Sequence, residues 1–213
     1  MVRFVSEWLR GAKGSTMERF SQAADNNQSA ILQVMSAWLP DGGDVLEIGS
    51  GSGQHVLQMA KSFAALRWQP TEQIGVLAAL IKNVRNYGTP NIATPISLDL
   101  SKHEWPIRVF DCVYSANVLH IVNTTLGAKL IEGSAAVLRG GGSLMLYGPF
   151  KYQGKFTTES NANFDVFLKD RDLNSGIRDV EWVSTIAEDE GLSLVADQDM
   201  PANNQFLVFQ KVR

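Results

Sequence analysis

Asp44-Val45-Leu46-Glu47-Ile48-Gly49-Ser50-Gly51-Ser52-Gly53-Gln54-His55 is the stretch whose reading decides the fold. Val45, Leu46 and Ile48 form a short apolar run of the kind a buried central parallel strand needs. Glycines follow at 49, 51 and 53, and then Val56, Leu57, Met59 and Ala60 recur at helical spacing. A glycine turn between strand and helix lets backbone N–H groups approach a ligand, because no Cβ stands in the way. The bland alternative is a tight turn with no ligand.

The dinucleotide fingerprint G-x-G-x-x-G/A requires its last small residue where this chain has Gln54. The glycines run G-x-G-x-G instead, with Glu47 two positions before the first. This resembles the nucleotide loop of class I S-adenosylmethionine-dependent methyltransferases. The resemblance implies that Glu47, Gly49, Ser50, Gly51 and Gly53 contact a cofactor made of an amino acid and an adenosine.

The later segments extend the pattern. Leu66 to Glu72 reads as a second strand, and Glu72 follows Gly53 by 19 residues. A carboxylate near that distance accepts from ribose hydroxyls in nucleotide-binding βαβ units. Glu72 is therefore expected to face the glycine turn; otherwise it is a helix N-terminal carboxylate favoured by the dipole. Ile74 to Tyr87 reads as a helix, and Ile96 to Leu100 as a third strand with Asp99 at its carboxyl end. Ligands of open α/β sheets lie over those ends, so Asp99 is a candidate for the adenine edge with Leu100 packing on the ring. A turn aspartate is the competing reading.

Phe110 to Asn117 reads as a fourth strand. Asn117 both donates and accepts, which suits the amino-acid part of a cofactor or an acceptor. His120, with an ordinary pKa near 6.5, is a candidate general base. A helix is expected over Gly127–Leu138, ended by Arg139-Gly140-Gly141-Gly142, and a fifth strand over Ser143–Tyr147. Tyr147 is a second base candidate, and Phe150 a candidate pocket wall.

The remaining segments complete the domain. A helix is expected over Ser29–Leu39, with Asp25-Asn26-Asn27 at its start as caps or as a segment closing over the cofactor. Residues 151–176 are polar and suit a lid, or a solvated loop and helix. A helix through Glu181–Ala187 follows, and Leu192–Val195 and Phe206–Phe209 suit an antiparallel hairpin. Alternating strands and helices argue an α/β, doubly wound, mostly parallel seven-stranded sheet with that hairpin at its end. Residues 1–16 read as an extension and 17–213 as one methyltransferase-like domain.

Composition narrows the classes. With 213 residues and 45% hydrophobic content, the chain can bury a full core. A net charge of −3 argues against a nucleic-acid surface, and no Asn-Pro-Pro-Tyr or Asp-Pro-Pro-Tyr sequence is present to hold a flipped base. One cysteine, Cys112, excludes an internal disulfide or a cysteine-rich metal site, and no metal is expected. No apolar run reaches the roughly 18 residues of a membrane helix, and a cytoplasmic setting is expected.

Beyond the loop, Trp68-Gln69-Pro70-Thr71-Glu72, Tyr147-Gly148-Pro149-Phe150, Arg171-Asp172, Gly176-Ile177-Arg178-Asp179 and Met200-Pro201-Ala202-Asn203-Asn204 resemble the domain of unknown function 938 family, whose animal branch is called methyltransferase-like 26. The resemblance covers residues 20 to 213. It implies S-adenosylmethionine as cofactor and leaves the acceptor open. A methyltransferase acting on a small molecule, with unassigned oligomeric state, leads; a binding module for the cofactor or a nucleoside without transfer is the alternative. A nicotinamide oxidoreductase is disfavoured by Gln54.

Overall fold

The computed structural model describes residues 17–102 and 104–212. The extension assigned to residues 1–16 lies outside them. The chain divides into two compact units, Met1–Leu98 and Asp99–Arg213.

In the first unit, helix α1 (Gln22–Met35) precedes strand β1 (Gly43–Ile48), helix α2 (Gln54–Ser62), strand β2 (Leu66–Glu72), helix α3 (Ile74–Tyr87) and strand β3 (Ile96–Ser97). β1 pairs with β2 in parallel from Gly43↔Leu66 to Ile48↔Thr71, so both strands end at the glycine turn. Asp44 to Ile48 are all buried, as an interior parallel strand requires. α1 begins well before the expected Ser29. Ser21 caps it, its hydroxyl accepting from Ala24 N–H at 3.2 Å, and Asp25 lies in the first turn where the dipole favours it. A good cap thus carries a polar segment into the helix. The third strand is shorter than expected: the ladder with β2 stops at Glu72↔Ser97. Ile96 and Ser97 are both exposed, and the chain then turns at Asp99, whose carboxylate accepts from Ser101 N–H at 2.9 Å.

The second unit carries strand β4 (Phe110–Ala116), helix α4 (Thr124–Val137), strand β5 (Leu138–Gly148), strands β6 (Phe150–Tyr152) and β7 (Lys155–Phe156), helix α5 (Glu159–Arg171), strand β8 (Arg178–Asp179), helix α6 (Val180–Asp189), strand β9 (Leu192–Met200), a 3₁₀ turn (Pro201–Asn203) and strand β10 (Asn204–Lys211). β4 and β5 are parallel, while β10 runs antiparallel to both β5 and β9. The glycine run expected to separate α4 from the fifth strand is instead part of β5. Phe110 pairs with Leu138 but Cys112 with Ser143, so residues 139–142 bulge from the ladder. Arg139 is held there by Asp111 at 2.9 Å.

The strand order β3-β2-β1-β4-β5-β10-β9 makes the expected seven-stranded, mostly parallel sheet with an antiparallel carboxyl-terminal pair. In the segment read as a lid, strands β6 and β7 of a second sheet, β7-β6-β8, precede helix α5, the longest element there. Large side chains such as Trp68, Leu46 and Leu80 in the first unit, and Tyr114, Phe206 and Phe209 in the second, are fully buried. Each such aliphatic or aromatic side chain contributes about 1.5–3 kcal/mol of burial. Among the described residues no helix is long and apolar enough to cross a membrane.

Candidate functional site

The glycine loop is shaped by backbone conformation. Gly49, Gly51 and Gly53 have φ of 72°, 58° and 86°, all left-handed. A Cβ on Gly53 would stand 2.9 Å from Leu80 Cδ1, whereas one on Gly51 would meet nothing within 4 Å. Gly53 therefore lets α2 close on α3, and Gly51 leaves open space over the loop. Ser50 N–H donates to the Thr71 carbonyl at 2.9 Å, and Thr71 Oγ1 donates to the Glu47 carbonyl at 2.7 Å. These bonds tie the loop to the end of β2. Gly53 is the N-cap of α2 and, having no side chain, makes no side-chain cap.

Two carboxylates attend this loop. Glu72 faces it, as expected: its Oε2 accepts from Gly51 N–H at 2.8 Å and its Oε1 from Gln73 N–H at 2.7 Å. Each oxygen keeps a further lone pair, and the side chain is half-buried. Glu47 is only 2% exposed, and its Oε2 has no hydrogen-bond partner among the described residues. Burial pushes its pKa up to about 7; the nearby Glu72 charge adds to the rise, while a bond from Ser50 opposes it. A buried, unpaired carboxylate oxygen costs free energy that a donor would recover.

A strap of chain crosses the same loop. Ser21 N–H donates to Gln54 Oε1 at 2.6 Å, and Gln54 Nε2 returns a bond to the Ser21 carbonyl at 3.0 Å. Asn83 does the same for Glu18: its Oδ1 accepts at 3.0 Å and its Nδ2 donates at 2.9 Å, with a further bond to the Ser52 carbonyl. Lys82 pairs with Glu18 as well. His55 Nε2 lies 2.8 Å from Asn27 Oδ1, and burial pushes its pKa down to about 4. Asn27 and Ala24 thus contact α2 from inside α1 rather than from a cap.

In the second unit, Asn117, His120 and Gly148 come together. Asn117 ends β4 in a left-handed conformation (φ 58°), which asparagine tolerates, and its N–H donates to the Tyr147 carbonyl at 2.8 Å. A Cβ on Gly148 would stand 3.5 Å from His120 Nδ1 and 3.8 Å from Asn117 Oδ1. His120 is 6% exposed, with the Phe164 ring set edge-on at 5.5 Å. Burial pushes its pKa down to about 4, with the Arg178 charge adding to the fall, so the imidazole is neutral at physiological pH.

The loop carrying His120 is fixed by its carbonyls. Leu119 O and Val122 O accept from Arg178 at 3.2 and 2.5 Å, His120 O from Gly176 N–H at 2.9 Å, and Ile121 O from Ser175 Oγ at 2.6 Å. Four consecutive carbonyls are thus taken by residues 175–178. That segment is itself pinned by buried Asp165, whose Oδ1 accepts from Ile177 N–H at 2.7 Å and whose Oδ2 pairs with Lys169 at 2.6 Å. The segment read as a lid supplies the support for His120.

The other candidates sit elsewhere. Asp99 is half-exposed and turned into its own bend, accepting from Ser101 N–H and Oγ at 2.9 and 2.7 Å; those bonds, the hydroxyl first, hold its carboxyl below the usual range. Leu100 is buried. Tyr147 is buried on β5, and because successive strand residues face opposite sides, it points away from the face on which Gly148 meets His120. Gln54, Asn83, Asp165 and Arg178 were not identified from sequence as site-shaping residues. The one available signal was a set of polar residues within otherwise apolar helices or beside glycine. Among the described residues no cluster suits a metal ion.

Solved structures show the same fold. An O-methyltransferase family protein from Burkholderia thailandensis matches with a TM-score of 0.73 at 16% identity, covering 98% of this chain and 67% of that one. A family 2 O-methyltransferase from Planctomyces limnophilus, in complex with apigenin, matches with a TM-score of 0.76 at 18% identity, covering 89% and 58%. The calicheamicin-biosynthesis methyltransferase CalO1, in its SAH-bound form, matches with a TM-score of 0.70 at 15% identity, covering 89% and 54%. The chain spans 54 to 67% of the length of these neighbours, and at such identities the likeness is one of fold. The family model for proteins of unknown function DUF938 matches residues 18–211, and the chain belongs to that family.

Proposed function

We propose that the protein is a methyltransferase that uses S-adenosylmethionine and acts on a small-molecule acceptor. The observation that carries the reading is the unpaired Oε2 of buried Glu47 beside an open glycine loop whose far side is lined by Glu72. A buried acceptor of this kind suits an ammonium group, and Glu72 keeps lone pairs for two ribose hydroxyls. Gly49, Ser50, Gly51 and Gly53 supply the backbone cradle, with Leu100 and Asp99 assigned to the adenine side and Asn117 to the amino-acid side.

When bound, S-adenosylmethionine would supply an electrophilic methyl group for an acceptor oxygen or nitrogen. The chain's task is alignment and proton removal. We assign the base role to His120 rather than Tyr147, because His120 is neutral and its Nδ1 lies on the face above Gly148. A weak base suffices, because the acceptor proton becomes strongly acidic only as the methyl attaches. The carbonyl clamp from Arg178 and the Phe164 ring hold the His120 loop and ring in place. A single free, buried cysteine fits the cytoplasmic setting we assign.

Calorimetric titration with S-adenosylhomocysteine tests the reading. Saturable heat with one site per chain is the expected result; no heat at millimolar ligand would remove the basis of the assignment.

A further inference from the structure

One buried polar group in the second unit is only half satisfied by the fold. Gln205 on β10 is 5% exposed. Its Nε2 donates to Asp199 Oδ1 at 2.9 Å, which fixes the amide and leaves Oε1 directed elsewhere, and that oxygen has no partner among the described residues. An acceptor left bare in this way destabilises the fold unless a donor reaches it. Gln205 is the direct antiparallel partner of Gly148. Directly opposed residues on such a ladder project to the same face and lie about 5 Å apart. That face is the one on which a Cβ at Gly148 would approach His120 Nδ1 and Asn117 Oδ1. An apolar wall, Phe164, stands against His120.

We infer that Gln205 is a specificity-determining residue: its Oε1 accepts a hydrogen bond from a second donor on the methyl acceptor, beside the hydroxyl or amine whose proton goes to His120. The acceptor class is a small molecule with two hydrogen-bond donors on adjacent atoms, such as a catechol, a vicinal diol or an amino alcohol. The inference rests on the proposed methyl transfer for the identity of the reacting group, while the pocket itself is built from residues of one unit. Gly148 puts no side chain between His120 and the neighbouring strand, which supplies the second pole.

The test uses the full chain and two probes, 4-nitrocatechol and 4-nitrophenol, titrated by calorimetry with and without saturating S-adenosylhomocysteine. The wild type is expected to bind the catechol at least tenfold more tightly than the phenol. In Gln205→Met the preference falls to within twofold while the melting temperature stays level or rises, because a bare polar atom has been removed. Equal binding of the two probes, binding of neither, or an unchanged preference in Gln205→Met overturns the inference. Should Gln205→Met fail to fold, the wild-type comparison of the two probes decides. Failure of the methyltransferase reading shows separately, as absent heat from S-adenosylhomocysteine alone, and catechol preference without it still supports the pocket.

Discussion

Glu47 in the first unit and His120 in the second are both buried beside a candidate ligand site, and burial moves the two in opposite directions. In the first unit it raises Glu47 to about 7, and in the second it lowers His120 to about 4. Desolvation penalises whichever form is charged, so an acid and a base both drift toward neutrality. Their supports differ as well. The glycine loop is gripped by side chains, with Glu72 on Gly51 and the amides Gln54 and Asn83 on the strap. The His120 loop is gripped through its own carbonyls by a distant segment. The comparison teaches that one region leaves carboxylate oxygens able to accept further hydrogen bonds, and the other keeps a neutral imidazole on a pinned loop.

The largest effect that would break this contrast comes from His120. His120→Ala should lower methyl transfer by roughly 100- to 10,000-fold, the usual worth of a general base, with S-adenosylhomocysteine affinity unchanged. Wild-type turnover should also lack an acid limb near pH 6.5, since the ring stays neutral down to about 4. Loss of cofactor affinity in this variant would mean that His120 belongs to the cofactor site instead.

Next comes Glu47. Its folded pKa lies above its ordinary 4.5, so the fold holds the proton more tightly than the unfolded chain does. The associated stability is present below pH 4.5 and is lost as pH rises through about 7. Glu47→Gln does not titrate, so without ligand its stability relative to wild type should be greater at pH 8 than at pH 5 by up to about 3 kcal/mol. Urea melts at the two pH values measure this, and a difference independent of pH would show that the carboxylate is ionised throughout.

Glu72→Ala should weaken S-adenosylhomocysteine binding about 30-fold, on the order of 2 kcal/mol for lost charge-assisted bonds, and leave 4-nitrocatechol binding intact. An equal loss for both ligands would erase the distinction between the two regions. The smallest effect belongs to Gln54→Leu, which leaves the Ser21 N–H without its acceptor and its carbonyl with the Asp25 N–H alone. A stability loss of about 1–2 kcal/mol, with faster amide exchange confined to residues 17–24, is the expected outcome.

How much of this was legible in the sequence follows from the kind of constraint at each place. The glycine loop, β1, β2 and the terminal hairpin could be read because backbone shape and apolar period fix them locally. Glu72 could be placed by its distance from the loop for the same reason. The start of α1 was misplaced because one cap, Ser21, outweighed a polar run. Asp99 followed the turn chemistry that opposed a longer β3. The Arg178 clamp lies 56 to 59 residues from the carbonyls it holds, and Asp165 gains its role from a backbone N–H 12 residues away. No local pattern encodes such contacts. Gln205 was passed over because a lone glutamine in a strand is indistinguishable from a surface residue until its neighbours are known.

The amide grip on the strap has a consequence for ionic strength. Gln54 and Asn83 carry no charge, so counter-ions do not weaken their bonds to residues 18 and 21, whereas the exposed Lys82–Glu18 pair beside them is screened within a Debye length of about 8 Å in physiological salt. The strap's hold on α2 and α3 should therefore persist in concentrated salt, where a strap held by ion pairs alone would loosen.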